Sequence, residues 1–134
     1  MEAYDFLVPG PPVSTQTKDR EARRRWKERV QAAAVRATPH IPVFWDPGVR
    51  LTIVHLHREK LFDVDNLIKP IQDGLELTFY VDDVVVTDVD SHRRALDAKP
   101  DAASLPELLR WAWGAGEECV YVRVQYGVPL EAML

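Results

Sequence analysis

Cysteine is almost missing from this chain of 134 residues: Cys119 stands alone, which excludes an intrachain disulfide and a cysteine-built zinc site. A cytosolic, reducing compartment fits that usage. No apolar run approaches the roughly 20 residues that span a bilayer, so no membrane-crossing helix is expected. The start, MEAYDFLVPGPP, has neither a basic segment nor a long apolar one and does not read as a signal peptide. A basic excess is missing too. The formal charge is −4, so a nucleic-acid partner would have to be held by a local basic patch. What the chain does have is 46% hydrophobic residues, enough for a core and too many for disorder. The length fits one domain over residues 1–134.

Local patterns divide the chain. Ala3 to Val8 reads as a strand, broken by Pro9, Gly10, Pro11 and Pro12. Ser14 to Thr17 offers caps for a helix from Lys18 to about Ala37, with Trp26, Val30, Ala33 and Ala37 as its buried stripe. Pro39, Pro42 and Pro47 mark a loop, and Val49 to His57 alternates as a strand. A second helix is expected from Asp65 or Asn66, with Ile68, Ile71 and Leu75 on its apolar face and Gly74 near its end. Tyr80 to Asp83 reads as a turn, and Val84 to Ser91 and Val120 to Tyr126 as strands. Between those strands lies an excursion, residues 95–118. There Ser104 and Glu107 fit a capping box, and Leu108, Leu109, Trp111 and Trp113 form an apolar helix ended by Gly114 and Gly116. The order predicts an α/β (α+β) fold: a mixed β-sheet with two main helices packed on it and an inserted helix.

The densest chemistry lies in FDVDNLIKPIQDGLELTFYVDDVVV. Asp63 and Asp65 are two apart, which in an extended segment sends both carboxylates to one side and suits a metal. The competing assignment makes Asp65 a helix cap and Asp63 a solvated loop residue. Asp65, Lys69 and Asp73 follow at intervals of four and share one helical face, either a salt-bridge ladder or a face that places the Lys69 ammonium near a metal, with Asp73 read as structural rather than as a ligand. Of the consecutive pair Asp82 and Asp83, only one is expected to reach the cluster. A bound divalent cation would relieve the repulsion among these carboxylates, and Mg²⁺ prefers such oxygen ligands. Lys18 to Arg29 holds seven basic residues against three acidic ones, a candidate phosphate-binding face or a solvated helix surface. His55, His57 and His92 read as ordinary polar strand residues.

These residues resemble the RusA-type Holliday junction resolvases. The resemblance is carried by DVDNLIKPIQDGL, by the DD turn about ten residues later, and by the Pro-rich VPGPPVS after the first strand, and it runs from about Ala3 to Ser91. It implies a small homodimeric, Mg²⁺-dependent endonuclease that nicks four-way DNA junctions. By position it implies Asp63, Asp65 and Asp83 as metal-holding catalytic aspartates and Lys69 as the catalytic lysine. With it, Lys18, Arg23, Arg24 and Lys27 become the candidate DNA contacts. The excursion at 95–118 and the acidic net charge depart from the family pattern. Two rival readings share the same residues: a non-catalytic DNA- or protein-binding module, and a nuclease for flaps or forks.

Overall fold

The computed structural model describes residues 2–38, 40–58, 63–98 and 100–134. Its chain order is β1 (Ala3–Pro9), α1 (Arg20–Ala37), β2 (Val49–His57), α2 (Ile68–Leu75), β3 (Val86–Ala95), α3 (Glu107–Ala115), β4 (Cys119–Tyr126) and the single turn α4 (Leu130–Met133). Short 3-10 turns precede α2 (Val64–Leu67), β3 (Asp83–Val85) and α3 (Ala102–Ser104). The expected loop residue Pro39, and Phe62 at the head of the acidic stretch, lie outside the described residues.

The four strands form one mixed sheet in the order β1-β4-β2-β3. β4 runs antiparallel to both β1 and β2, whereas β2 and β3 are parallel. A parallel pair requires a crossover, and α2 supplies it. Alternation sends Phe6 and Val8, Val49, Leu51 and Ile53, and Val120, Val122 and Val124 into the larger core. There they meet Trp26, Val30, Ala33 and Ala34 of α1 and Ile71 and Leu75 of α2. Residues of the other parity, Val54, Leu56 and Tyr121, join Leu109 and Ala112 of α3 in a second cluster. The sheet thus has α1 and α2 on one face and α3 on the other. No helix among the described residues is long and apolar enough to cross a membrane.

Several local expectations need correction. The α1 cap is Asp19, not a residue of Ser14 to Thr17: its carboxylate accepts from Ala22 N–H at 3.0 Å. The capping box at Ser104 and Glu107 does not form; Pro106 occupies the N-cap position and no side chain caps α3. Of the apolar residues expected on α3, Leu109 and Ala112 take the buried stripe and Trp111 is 65% exposed. Gly116, at φ 73°, supplies the left-handed C-cap of α3, while Gly114 remains inside the helix.

His55 is fully buried, with Nε2 3.0 Å from Glu118 Oε2. Burial lowers its pKa, outweighing the opposing pull of Glu118. The folded state therefore binds this proton less readily than the unfolded state, whose histidine titrates near ~6.5. Stability from this group is complete above that value and falls as pH drops below it towards the lowered folded pKa. Urea unfolding should show a lower midpoint at pH 5.5 than at pH 7.5, and His55→Gln should flatten that dependence. A wild-type midpoint that does not move would remove His55 as the proton-linked group. Burial likewise pushes the Cys119 thiol up to about 11, so this cysteine is held as an unreactive thiol near neutral pH.

Candidate active site

α2 builds one wall of the site. Lys69 and Asp73 are four apart on it, and Lys69 Nζ lies 3.0 Å from Asp73 Oδ1. Glu76 follows as the C-cap, where the chain leaves the helix in an extended conformation. The chain then reverses through Leu77, whose φ of 67° is unusual for a leucine, and closes with Leu77 N–H donating to Tyr80 O at 2.7 Å. Phe79 pins this turn to the core: its carbonyl accepts from Val43 and Phe44 N–H, and its ring stacks on Phe6 at 5.9 Å. The turn returns the chain to α2, so Asp83 arrives with Oδ2 3.2 Å from Lys69 Nζ. Asp82 points elsewhere and caps the next turn by accepting from Val84 N–H at 3.0 Å.

Lys69 therefore sits between two carboxylates drawn from different segments. Hydrogen bonds that the ammonium donates to Asp73 and then Asp83 hold its pKa above the usual lysine range, so the charged form is favoured. Asp73, Glu76 and Asp83 each offer a carboxylate oxygen within 4.8 Å of the others. Tyr80 lies buried beside them, its hydroxyl donating to Gln72 O at 3.2 Å. Burial first, then the Asp83, Glu76 and Asp73 carboxylates, drive its phenol pKa far upward.

The donor chemistry fits a small divalent cation. All three candidate ligands are carboxylate oxygens, the donor type Mg²⁺ takes, and they lie within 4.8 Å of one another. Three carboxylates less one ammonium leave two negative charges for the cation to neutralise. Glu76 was not among the sequence candidates, although Lys69, Asp73 and Glu76 fall at i, i+4 and i+7 and so share a helical face.

Asp63 and Asp65 are placed differently. Both are exposed, Asp63 as the extended residue before the 3-10 turn and Asp65 within it, so the extended geometry expected for the pair is not formed. Neither caps the turn through its side chain, and neither joins the group of three converging carboxylates. Their turn is itself well anchored. Ser91 Oγ–H donates to Val64 O at 2.7 Å, and Thr15 donates to Asn66 O from both N–H and hydroxyl, at 2.9 and 2.7 Å.

The basic helix adjoins the cluster. A cleft of about 220 Å³ is lined by Thr15, Arg23, Lys27, Lys69, Pro70 and Asp73. Arg23 and Lys27 thus share a wall with Lys69, and Lys18 is exposed just before α1. Arg24 lies instead between Glu21 and Glu28 in exposed pairs along the helix. Arg29 is structural, with Nη1 donating to Pro9 O at 3.0 Å and its guanidinium over the Trp26 ring.

The sequence model of the family described as Endodeoxyribonuclease RusA matches residues 11–102, well over half of the chain. The chain belongs to the RusA endodeoxyribonuclease family. That segment includes α1, the 3-10 turn bearing Asp65, all of α2 and Asp83, so the RusA match and the carboxylate–lysine cluster coincide. No individual curated protein gives a significant match. In this RusA-family chain α3 lies beyond the matched residues.

Proposed function

We propose that this protein is a Mg²⁺-dependent endodeoxyribonuclease that resolves four-way DNA junctions by paired symmetric nicks, acting as a homodimer. The observation that carries this reading is the apposition of Lys69 to Asp83 at 3.2 Å, inside an acidic cluster that adjoins the basic cleft of a RusA-family chain. A C2 dimer suits the substrate, because two nicks related by a two-fold axis need two sites so related.

Asp63, Asp65 and Asp83 are the residues proposed to hold the metal; Asp73 and Glu76 are an alternative pair that would share Asp83. When bound, the cation would supply an activated water and a Lewis acid for the scissile phosphate. In hydrolysis, water oxygen adds to phosphorus, one P–O ester bond breaks and the departing oxygen takes a proton. Lys69, its charged form favoured by the flanking carboxylates, stabilises the negative charge that develops on the phosphoryl oxygens. Asp73, one helical turn on, fixes the lysine by accepting a hydrogen bond from its ammonium.

The direct test is cleavage of an end-labelled synthetic four-way junction with Mg²⁺, beside the matching duplex and a flap. Paired symmetric nicks confined to the junction are expected; equal cutting of the flap would move the specificity to other branched DNA. Junction binding without cleavage of anything would favour a binding module.

Flanking phosphates are assigned to Lys18, Arg23 and Lys27. Each phosphate contact adds about 0.9 to the slope of log affinity against log salt. Lys27→Gln and Arg23→Gln should each lower that slope by roughly one while single-turnover cleavage at saturation is little changed. Arg24→Gln, with Glu21 and Glu28 already pairing its guanidinium, should have less effect. Equal slopes for wild type and Lys27→Gln in a filter-binding series would place the DNA on another face.

A further inference from the structure

On the side of the sheet away from the acidic cluster, α3 does not cover the whole surface. Its contacts gather over Val54, Leu56, Cys119 and Tyr121, and beside them a cavity of about 380 Å³ stays open. Strand register explains its floor. Arg50, Thr52 and Val54 of β2 have one parity; Thr52 pairs with Arg123 and Asp90, and Val54 with Tyr121 and His92. Alternate residues of three adjacent strands therefore form a polar platform walled on one side by Leu105, Leu109 and Trp113.

The charges facing this cavity are unevenly satisfied. Asp90 is fully engaged, accepting from Arg50 Nε at 2.8 Å, from Thr52 at 3.1 Å and lying 3.1 Å from His92 Nε2. Asp5 of β1, opposite Arg123 in register, accepts from the Tyr121 hydroxyl at 2.8 Å. Arg94 of β3 adds a further cation at the rim, and Glu107 and Arg110 of α3 are exposed. Arg123 makes no ion pair among the described residues; its guanidinium hydrogen-bonds the Tyr121 hydroxyl, but its Nε is buried without an acceptor. The indole Nε1 of Trp113 is buried without an acceptor as well, in the wall of the same cavity. A donor left unpaired in a buried site is destabilising, and here there are two. Both need an acceptor, and the cation beside one of them favours an anionic acceptor. The adjacent apolar wall favours a ligand with an aromatic or aliphatic body, and the volume falls in the range of small-molecule pockets, about 300–1,000 Å³.

We propose that this cavity is a binding site for a small amphipathic anion, its phosphate or carboxylate on Arg123 and Trp113 and its apolar body against Leu105, Leu109 and Tyr121. The site is separate from the nuclease chemistry and stands whether or not the cluster cuts DNA.

The probe is 8-anilinonaphthalene-1-sulfonate, an aromatic body with one fixed negative charge, titrated into the whole protein with tryptophan-excited emission as readout. One saturable site per chain is expected. Arg123→Gln should weaken binding at least about tenfold, by loss of a charge-assisted hydrogen bond. Trp113→Phe, which keeps a ring but removes the N–H, should weaken it several-fold and reduce energy transfer. Circular dichroism and a melting curve establish that each variant is folded; if Arg123→Gln is not, Trp113→Phe decides alone. Lys27→Gln, in the other cleft, should bind as wild type. Thymidine 5′-monophosphate and 2-naphthoate as competitors distinguish a phosphate-bearing from a carboxylate-bearing ligand, and displacement by either supports the site. Non-saturating binding, wild-type affinity in the folded variants, displacement by neither competitor, or equal displacement by inorganic phosphate would each overturn it.

Discussion

Asp83→Asn should lower the single-turnover rate of junction cleavage by roughly a hundred- to a thousandfold or more while junction affinity stays within about threefold of wild type. Asp83 is the carboxylate on which two lines converge. The motif groups it with Asp63 and Asp65; the fold groups it with Asp73 and Glu76, within 4.8 Å. It also meets the Lys69 ammonium at 3.2 Å, so the substitution removes a candidate metal ligand and one of the two carboxylates that position the lysine. Affinity is spared because a negative charge is being taken away from the path of a polyanion. Two companions divide the ligand sets. If Asp65→Asn is inactive and Glu76→Gln is active, the motif-derived set holds the metal; the reverse outcome moves it to the end of α2. Metal binding by calorimetry should follow the same division. An Asp83→Asn enzyme that cuts at the wild-type rate would put the active site elsewhere.

The pairing of Lys69 with Asp83 shows what the sequence could and could not disclose. The i, i+4 relation of Lys69 and Asp73 was legible, because a helix converts that interval into contact without help from the rest of the fold. Spacing alone left open which of Asp82 and Asp83 turns inward, and only the family resemblance favoured Asp83. The answer depends on the reversal at Leu77 and on Phe79 docking between Phe44 and the sheet, contacts that are distant in sequence. The strands were legible from alternation, and β2 was expected over the same residues in which it is found. Their order was not, since alternation says nothing about neighbours. The parallel pairing of β2 with β3, which places the α2 crossover and hence Lys69 beside Asp83, had to come from the fold. Alternation puts Arg50 and Thr52 on one strand face, but the opposing Arg123 and Asp90 that make this face a cavity floor lie tens of residues away. Asp19, rather than Ser14 to Thr17, caps α1 because the helix starts only at Arg20.

The basic cleft and the acidic cluster are walls of one feature, and what fixes their separation is the contact between α1 and α2. At that contact stands Gly74, in the last turn of α2, where the sequence suggested only a weakened helix end. A methyl group there would lie 2.5 Å from Val30 Cγ1 and 2.7 Å from Val30 Cβ, with the Lys27 carbonyl at 3.5 Å. Val30 is fully buried beside Trp26 and Ala34, so it has little room to turn aside. In an open helix, Gly→Ala stabilises by about 1 kcal/mol. Here overpacking, at about 1–3 kcal/mol or more, outweighs that gain. Gly74→Ala should therefore destabilise the protein by about 1–2 kcal/mol and lower Tm by roughly 4–8 °C. Cleavage should fall with it, by up to about a hundredfold, because a shift of α2 moves Lys69 and Asp73 relative to Arg23 and Lys27. Adding Val30→Ala removes the atoms that clash. The double variant should be more stable than the sum of the single effects allows, by at least about 1 kcal/mol in urea unfolding, and part of the cleavage should return. A Gly74→Ala protein that melts at or above the wild-type temperature would mean that the helices are free to separate, and that the spacing between phosphate contacts and cluster is set by something other than this glycine.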